Sequence, residues 1–284
     1  MSRKGMGWAM GWILVTWGTA TAPADTPMGP PIAVLEEGHW AASLEYGYGE
    51  SDLRAYGLST TALTGESPTS AFEMLDIEGL RSHQVLAGLA YGVCDNWDLF
   101  LRVGIADVQD DILAGSAQRW AYSGTGFAWG LGSRATFCQW GPWSFGGLAQ
   151  VTWLDPDSSV FSSVDPEEAN RVSVGSIDLD LWQTQVSLAA AYQIDTLSFW
   201  AGPFLEFTEG ELERSGRVLT DGVDSGSFMA TSQIEERSQF GLHFGVQWEK
   251  SDALSAWVGG QLTSDSWSIG VGGIIQPQRW GNRR

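Results

Sequence analysis

Phe240-Gly241-Leu242-His243-Phe244-Gly245-Val246-Gln247-Trp248 changes character at every residue. Phe240, Leu242, Phe244, Val246 and Trp248 fall on one side, and Gly241, His243, Gly245 and Gln247 on the other. A period of two is the side-chain period of a β-strand, and a two-sided strand requires two environments. The pattern recurs upstream. Trp40, Ala42, Leu44, Tyr46 and Tyr48 oppose Ser43, Glu45, Gly47 and Gly49. Val85, Ala87, Leu89, Tyr91 and Val93 oppose Gln84, Gly88 and Gly92, and Leu99, Leu101, Val103 and Ile105 oppose Asp98, Arg102 and Gly104. Phe127, Trp129, Leu131, Ala135 and Phe137 oppose Gly130, Gly132, Arg134 and Thr136.

Extended along the chain, the alternation predicts ten strands, at about 39–50, 78–93, 97–107, 122–138, 143–154, 178–193, 197–208, 236–248, 253–263 and 266–276. Trp200, Phe204 and Trp257 blur it in the seventh and ninth. Connections alternate in length. Cys94–Asn96, Gln139–Pro142, Ile194–Thr196 and Glu249–Asp252 are tight, whereas 51–77, 108–121, 155–177 and 209–235 are long and polar. A short connection at Ser264-Asp265 joins the last two strands. Tight turns at one end and long loops at the other, with an even strand number, are the plan of an antiparallel up-and-down transmembrane β-barrel. A soluble, lipocalin-like barrel with its apolar face inside is the alternative.

Three features favour lipid outside. The apolar face is bulky over about ten residues per strand, the length of a tilted membrane strand. The opposite face carries Gly, Ser, Ala and a few charges. Aromatic residues gather at strand ends as two interfacial girdles: Trp40, Tyr91, Trp97, Trp143, Tyr192 and Trp248 by the tight turns, and Tyr48, Tyr122, Trp153, Trp182 and Trp267 by the long loops. Charged residues make up only 17%, and Lys4 and Lys250 are the only lysines, too few for a water-exposed sheet face. The net charge of −19 argues against a nucleic-acid partner.

The N-terminus reads as a secretory signal peptide over 1–24, with Arg3 and Lys4, an uncharged apolar stretch from Gly5 to Thr19, and Ala22-Pro23-Ala24 before a cut at Asp25. No Cys lies near that cut, which argues against a lipoprotein anchor. Residues 25–38, with Pro27, Pro30 and Pro31, read as a periplasmic linker, 39–276 as the barrel and 277–284 as a C-terminal tail.

Ala90-Tyr91-Gly92-Val93-Cys94-Asp95-Asn96-Trp97-Asp98-Leu99-Phe100-Leu101-Arg102-Val103-Gly104 resembles a periplasmic-turn hairpin of bacterial outer-membrane barrels. Gly126-Phe127-Ala128-Trp129-Gly130-Leu131-Gly132 resembles the strand that follows such a hairpin, and Trp267–Ile275 a closing strand. The resemblance is to the OmpA/opacity-like porin superfamily. It implies the outer membrane of a Gram-negative bacterium, with outer-membrane lipid, lipopolysaccharide and the barrel-assembly machinery as partners. Such chains usually end on an aromatic residue, whereas this one continues past Ile275 to Arg284 with Trp280 as the last aromatic.

On the inward face Glu45, Asp98, Arg102, Arg134, Glu206 and His243 form a candidate charge network, either an ion-paired filling or a selectivity ring in a narrow pore. Cys94 and Cys138, the only cysteines, both fall at the tight-turn rim and are candidates for a disulfide in an oxidising compartment. Catalysis in such a barrel needs a His with a carboxylate or Ser near the outer rim. Only His39, His83 and His243 exist, and no nucleophile elbow, phosphate loop or Cys/His metal set accompanies them. The expectation is therefore a non-enzymatic barrel without cofactor or resident metal, structural or narrow and porin-like. The alternatives are an adhesin or binding protein acting through its acidic loops, and an outer-membrane protease or lipid-modifying enzyme. Asp107, Asp110, Asp111, Asp155, Asp157, Asp165, Glu167, Glu168, Glu209, Glu211 and Glu213 make those loops acidic and could attract divalent cations.

Overall fold

The computed structural model describes residues 26–114, 118–164, 170–236, 239–251 and 253–277, excepting side chains at 110–114, 118–122, 163, 164 and 236. Residues 1–25, the side chains of Asp110, Asp111 and Tyr122, Asp165, Glu167, Glu168 and the residues beyond Pro277 lie outside this description.

The described chain is one antiparallel sheet: β1 (Trp40–Leu63), β2 (Thr69–Cys94), β3 (Trp97–Ala114), β4 (Gln118–Trp140), β5 (Trp143–Pro156), β6 (Ser159–Val164), β7 (Arg171–Ile194), β8 (Leu197–Thr220), β9 (Val223–Glu236), β10 (Phe240–Ser251), β11 (Leu254–Leu262) and β12 (Ser266–Ile275). Near the tight turns, ten of them close a ring, with β1 to β5 in sequence, then β7, β8, β10, β11 and β12, and β12 returning to β1 in register from Ala42↔Ile275 to Ser51↔Ser266. Closure leaves no free edge, which any strand structure in hydrocarbon requires.

The lower ring is apolar outside. Leu44, Leu89, Leu101, Ile105, Phe127, Leu131, Leu188, Phe244 and Val271 point outward. Aromatic contacts bound this belt at both ends. By the tight turns Trp40 packs on Tyr91 (ring centroids 4.6 Å apart) and Trp143 on Tyr192 (4.7 Å), with Trp97 and Trp248 also outward. At the other limit Trp129, Trp153 and Trp182 form one cluster, and Tyr48 packs on Trp267 and His83. Trp40 to Tyr48 spans about 26 Å along β1, or roughly 20 Å of height at the tilt of a barrel strand. This is the girdled band of a membrane barrel.

The segments 51–77, 108–121, 155–177 and 209–235 do not form long loops. Most of each continues as strand, so that β1, for example, runs on for about 30 Å beyond the upper girdle. At the girdle the wall changes partners. β1 leaves β12 at Ser51 and takes β9 from Leu53, with an irregular step between. β8 exchanges β10 for β9 in the same way. Just before β6, Asp157 N donates to Thr125 O of β4 (3.4 Å), and β4 meets β6 itself through Ser123 N donating to Ser159 Oγ (3.3 Å). The extension is thereby walled by β1 to β4 and β6 to β9, eight strands above ten.

Polarity inverts at the same height. Below, the apolar side chains face out. Above, Leu53, Ala55, Leu75, Ile77, Val108, Phe161, Ile177, Leu179, Leu212 and Ile234 face in and form one buried core with Leu86, Ala128 and Leu154. An eight-stranded bore is filled by side chains alone, so a water-surrounded extension can have an ordinary dry core.

Glycine on the inner face does not widen the bore. It seats inward aromatics, which is why Trp200, Phe204 and Trp257 disturb the alternation. A Cβ on Gly245 would lie 2.3 Å from Trp200, one on Gly272 2.4 Å from Trp257, one on Gly132 2.3 Å from Phe100 and one on Gly241 2.3 Å from Phe204. Gly245→Ala would also meet Val258 O at 2.5 Å, a backbone atom that cannot turn aside. It is expected to cost about 1–3 kcal/mol as overpacking, read as a lower urea midpoint for the refolded barrel.

Candidate functional site: a filled lumen under an extended rim

Residues 26–36, expected as a linker outside the barrel, run through its lumen. Ten strands leave more room than side chains fill, and an extended segment occupies the difference. Thr26 is fully buried; its N donates to Gln183 Oε1 (2.9 Å) and its hydroxyl to Gln84 Oε1 (3.2 Å). Met28 N donates to Gln261 Oε1 (2.9 Å), and Pro27 O accepts from Arg102 Nη1 (2.7 Å). Nearer the mouth, Ala33 N donates to Thr136 Oγ1 (3.1 Å), while Val34 N and Leu35 N donate to Asp98 at 2.8 and 3.3 Å. Ile32, Val34 and Leu35 pack with Trp200, Trp257 and Ile274. The backbone groups of Thr26, Pro27, Met28, Ala33, Val34 and Leu35 thus meet side chains of the wall, as burial demands.

The predicted charge network resolves into three places. Arg102 bonds Glu45 at 3.0 Å and also Gln150. Gln150 Nε2 donates to Gln185 Oε1 (2.5 Å), Gln185 Nε2 to Glu206 (3.1 Å), and Gln183 to the other oxygen of Glu206. This chain runs around the inner wall from β1 through β3, β5 and β7 to β8. Asp98 and Arg134 form a second pair at 3.1 Å, and both guanidinium groups lie over the Phe100 ring, at 5.0 Å for Arg102 and 5.7 Å for Arg134. His243 joins neither. It is buried edge-on to Phe204 (centroids 6.4 Å apart). The glutamines were the residues missed. Gln84, Gln150, Gln183, Gln185 and Gln261 all sit at inward parity, and that parity was the available signal.

Cys94 and Cys138 are both free thiols. Cys94 ends β2 and Cys138 lies two residues before the end of β4; β3 separates the two strands, so about two strand spacings, roughly 9.6 Å, lie between them. A disulfide needs Cα atoms within about 7 Å. Cys94 Sγ instead lies 3.0 Å from Asn96 Oδ1.

Above the lumen network the apolar core seals the bore, and Arg214, level with Ile177, pairs with Glu73 (2.7 Å) among its outer residues. At the tight-turn mouth a cavity of about 260 Å³ remains between residues 32–36 and the wall, lined by Gln139, Gln193, Gln247 and Gln276 among others.

No family model matches the chain, and no curated protein matches it. Solved structures similar to it are outer-membrane β-barrels. The β domain of the Bordetella autotransporter BrkA overlaps with 85% of this chain and 100% of its own, at 15% identity and a TM-score of 0.41. OprG of Pseudomonas aeruginosa gives 85% and 96%, 12% identity and 0.39; the outer membrane protease OmpT of Escherichia coli gives 83% and 94%, 7% identity and 0.38.

The other histidines are also placed. His39 lies 3.7 Å from Glu36 at the mouth, and His83 Nδ1 meets the Tyr46 hydroxyl at 2.8 Å on the lipid face. On the outside of the extension, Asp107 accepts from Gln109 (2.8 Å) and Thr125 (2.9 Å), while Asp155, Asp157, Glu209, Glu211 and Glu213 are exposed. Among the described residues no group of three or more His, Cys, Asp or Glu is arranged to hold a metal ion.

Proposed function

We propose that the protein is a sealed, non-enzymatic barrel of the bacterial outer membrane, which holds its β-built extension outside the cell. One observation carries this reading: the lumen is filled along its height, by residues 26–36 and hydrogen-bonded side chains below and by a dry core above. A narrow pore needs a continuous wet path, and an apolar layer with Leu53, Ile177, Leu212 and Ile234 at 0–1% exposure interrupts it. The tight turns face the periplasm in this orientation, as barrels of this plan have them. The histidine placements support a non-catalytic reading. His83 faces lipid, His243 packs on Phe204, and His39 stands at the periplasmic mouth, none beside a serine nucleophile.

The test is the refolded full-length mature chain in a planar bilayer. Membrane insertion with no discrete current steps is expected. Reproducible steps, abolished by neutralising Arg102 or Glu45, would sink the sealed-barrel reading and restore the pore.

A further inference from the structure

Around the extension, outward side chains sort into two adjoining fields. The first is apolar. Met74 of β2 lies opposite Tyr56 of β1, Phe72 opposite Leu58, and Met229 of β9 opposite Thr60 one row further out. Phe72 is 72% exposed, Met229 65%, Met74 62% and Leu58 57%. This patch does not continue the lipid belt. A collar with the Arg54–Asp76 ion pair (3.4 Å), Glu78 and Arg81 separates the two. A contiguous exposed apolar patch with a charged border marks a binding surface, and methionine and aromatic residues are the types that adapt to a partner.

The second field is acidic and begins on the neighbouring strand. Glu235 of β9 stands opposite Glu209 of β8, and Glu211 and Glu213 stand opposite Asp180 and Asp178 of β7. Like charges placed directly across a strand pair oppose folding. The Tyr56 hydroxyl donates to Glu235 at 2.5 Å, a bond that pushes its phenol up, and Trp153 Nε1 donates to Asp180 at 2.6 Å. The two fields are within about two to three strand spacings, roughly 10–15 Å.

The geometry points to a docking face for a cationic, amphipathic polypeptide. Its apolar side chains cover Phe72, Met74, Leu58 and Met229, and its Lys or Arg side chains reach Glu209, Glu211 and Glu213. Charge complementarity selects this occupant. An anionic lipid is repelled by the stripe, and among the described residues no group of three or more of its carboxylates converges to hold a metal ion. The face requires only that the extension meet water, so it holds whether or not the lumen conducts.

The probe is a synthetic peptide of lysine and leucine, compared with a lysine–serine peptide of equal length and charge. Both are titrated by fluorescence polarisation against the mature chain in neutral-lipid nanodiscs, with empty nanodiscs as the blank. The lysine–leucine peptide is expected to bind at least about tenfold tighter. Phe72→Ser with Met74→Ser should remove that advantage. Glu211→Gln with Glu213→Gln should weaken binding about tenfold and flatten its salt dependence. Resistance of 51–77 and 209–235 to limited proteolysis, equal to the parent's, shows that the extension of each variant is folded. Equal binding of the two peptides, or a Phe72/Met74 variant that binds like the parent, overturns the proposal. Complete displacement by millimolar Mg²⁺ from both parent and apolar variant does so too, and makes the stripe a cation surface.

Discussion

Asp98→Ala is expected to lower stability by about 3–5 kcal/mol and to release the segment from the lumen. Asp98 is fully buried and accepts from three donors: Val34 N, Leu35 N and Arg134 Nε. Removing the carboxylate strands a guanidinium in a water-poor lumen and leaves two amides unmatched. Breaking one side of a buried pair costs more than the pair contributes, because the remaining charge stays buried. Asp98→Asn keeps an acceptor and should fall between. Two readings check this: the urea midpoint of the refolded barrel, and the rate at which the thiol introduced by Met28→Cys, at a buried position of the segment, reacts with a polar reagent in a background without Cys94 and Cys138. The rate should rise by about tenfold or more in the alanine variant, as opening of the segment becomes frequent. An unchanged midpoint with the introduced thiol still protected would mean that Leu35, Trp200 and Trp257 hold the segment by packing alone.

Leu212→Asp is expected to break the extension while sparing the membrane ring. Leu212 is at 0% exposure, opposite Leu179, within the apolar core. A carboxylate there has no partner, and the cost is on the order of 4 kcal/mol or more. Leu212→Ala, which only leaves a cavity, should cost about 2–5 kcal/mol. The ten-stranded ring has its own closure and polar filling, so the damage should be local. Limited proteolysis is expected to cut within 51–77 and 209–235 in the aspartate variant, leaving a heat-modifiable core. Loss of heat-modifiability together with the extension would instead show that the two levels fold as one unit.

The lower barrel was legible because lipid imposes a simple rule. Leu242, Phe244 and Val246 must face out where Gly241, His243 and Gly245 face in, and most strands of the ring repeat it. The extension obeys the opposite rule. In Leu53-Arg54-Ala55-Tyr56 the apolar residues turn inward and the polar ones outward, so a search for outward apolar stripes reads 51–77 as a loop. Of the candidate site, Glu45–Arg102 and Asp98–Arg134 were foreseeable from parity and height. Parity also puts Gln150, Gln183 and Gln185 on the inward face, but amides carry no charge to single them out as a relay to Glu206. The disulfide expectation for Cys94 and Cys138 failed on strand order, because nearness to one rim does not place two residues on neighbouring strands.

The sequence alone determined the period of two, the girdles, the tight turns and therefore a closed sheet with lipid around it. These are local properties, set by each residue's neighbours and by the medium its side chain must enter. Tertiary structure decided what fills the barrel and where the wall narrows. Whether Pro27 to Leu35 lies outside the ring or inside it depends on the width of a ten-stranded bore, a quantity no single segment encodes. The insertion of β9 between β8 and β1 depends likewise on pairing across more than a hundred residues of chain, where hydrogen bonding and the dry core select one arrangement from many that share the same alternation.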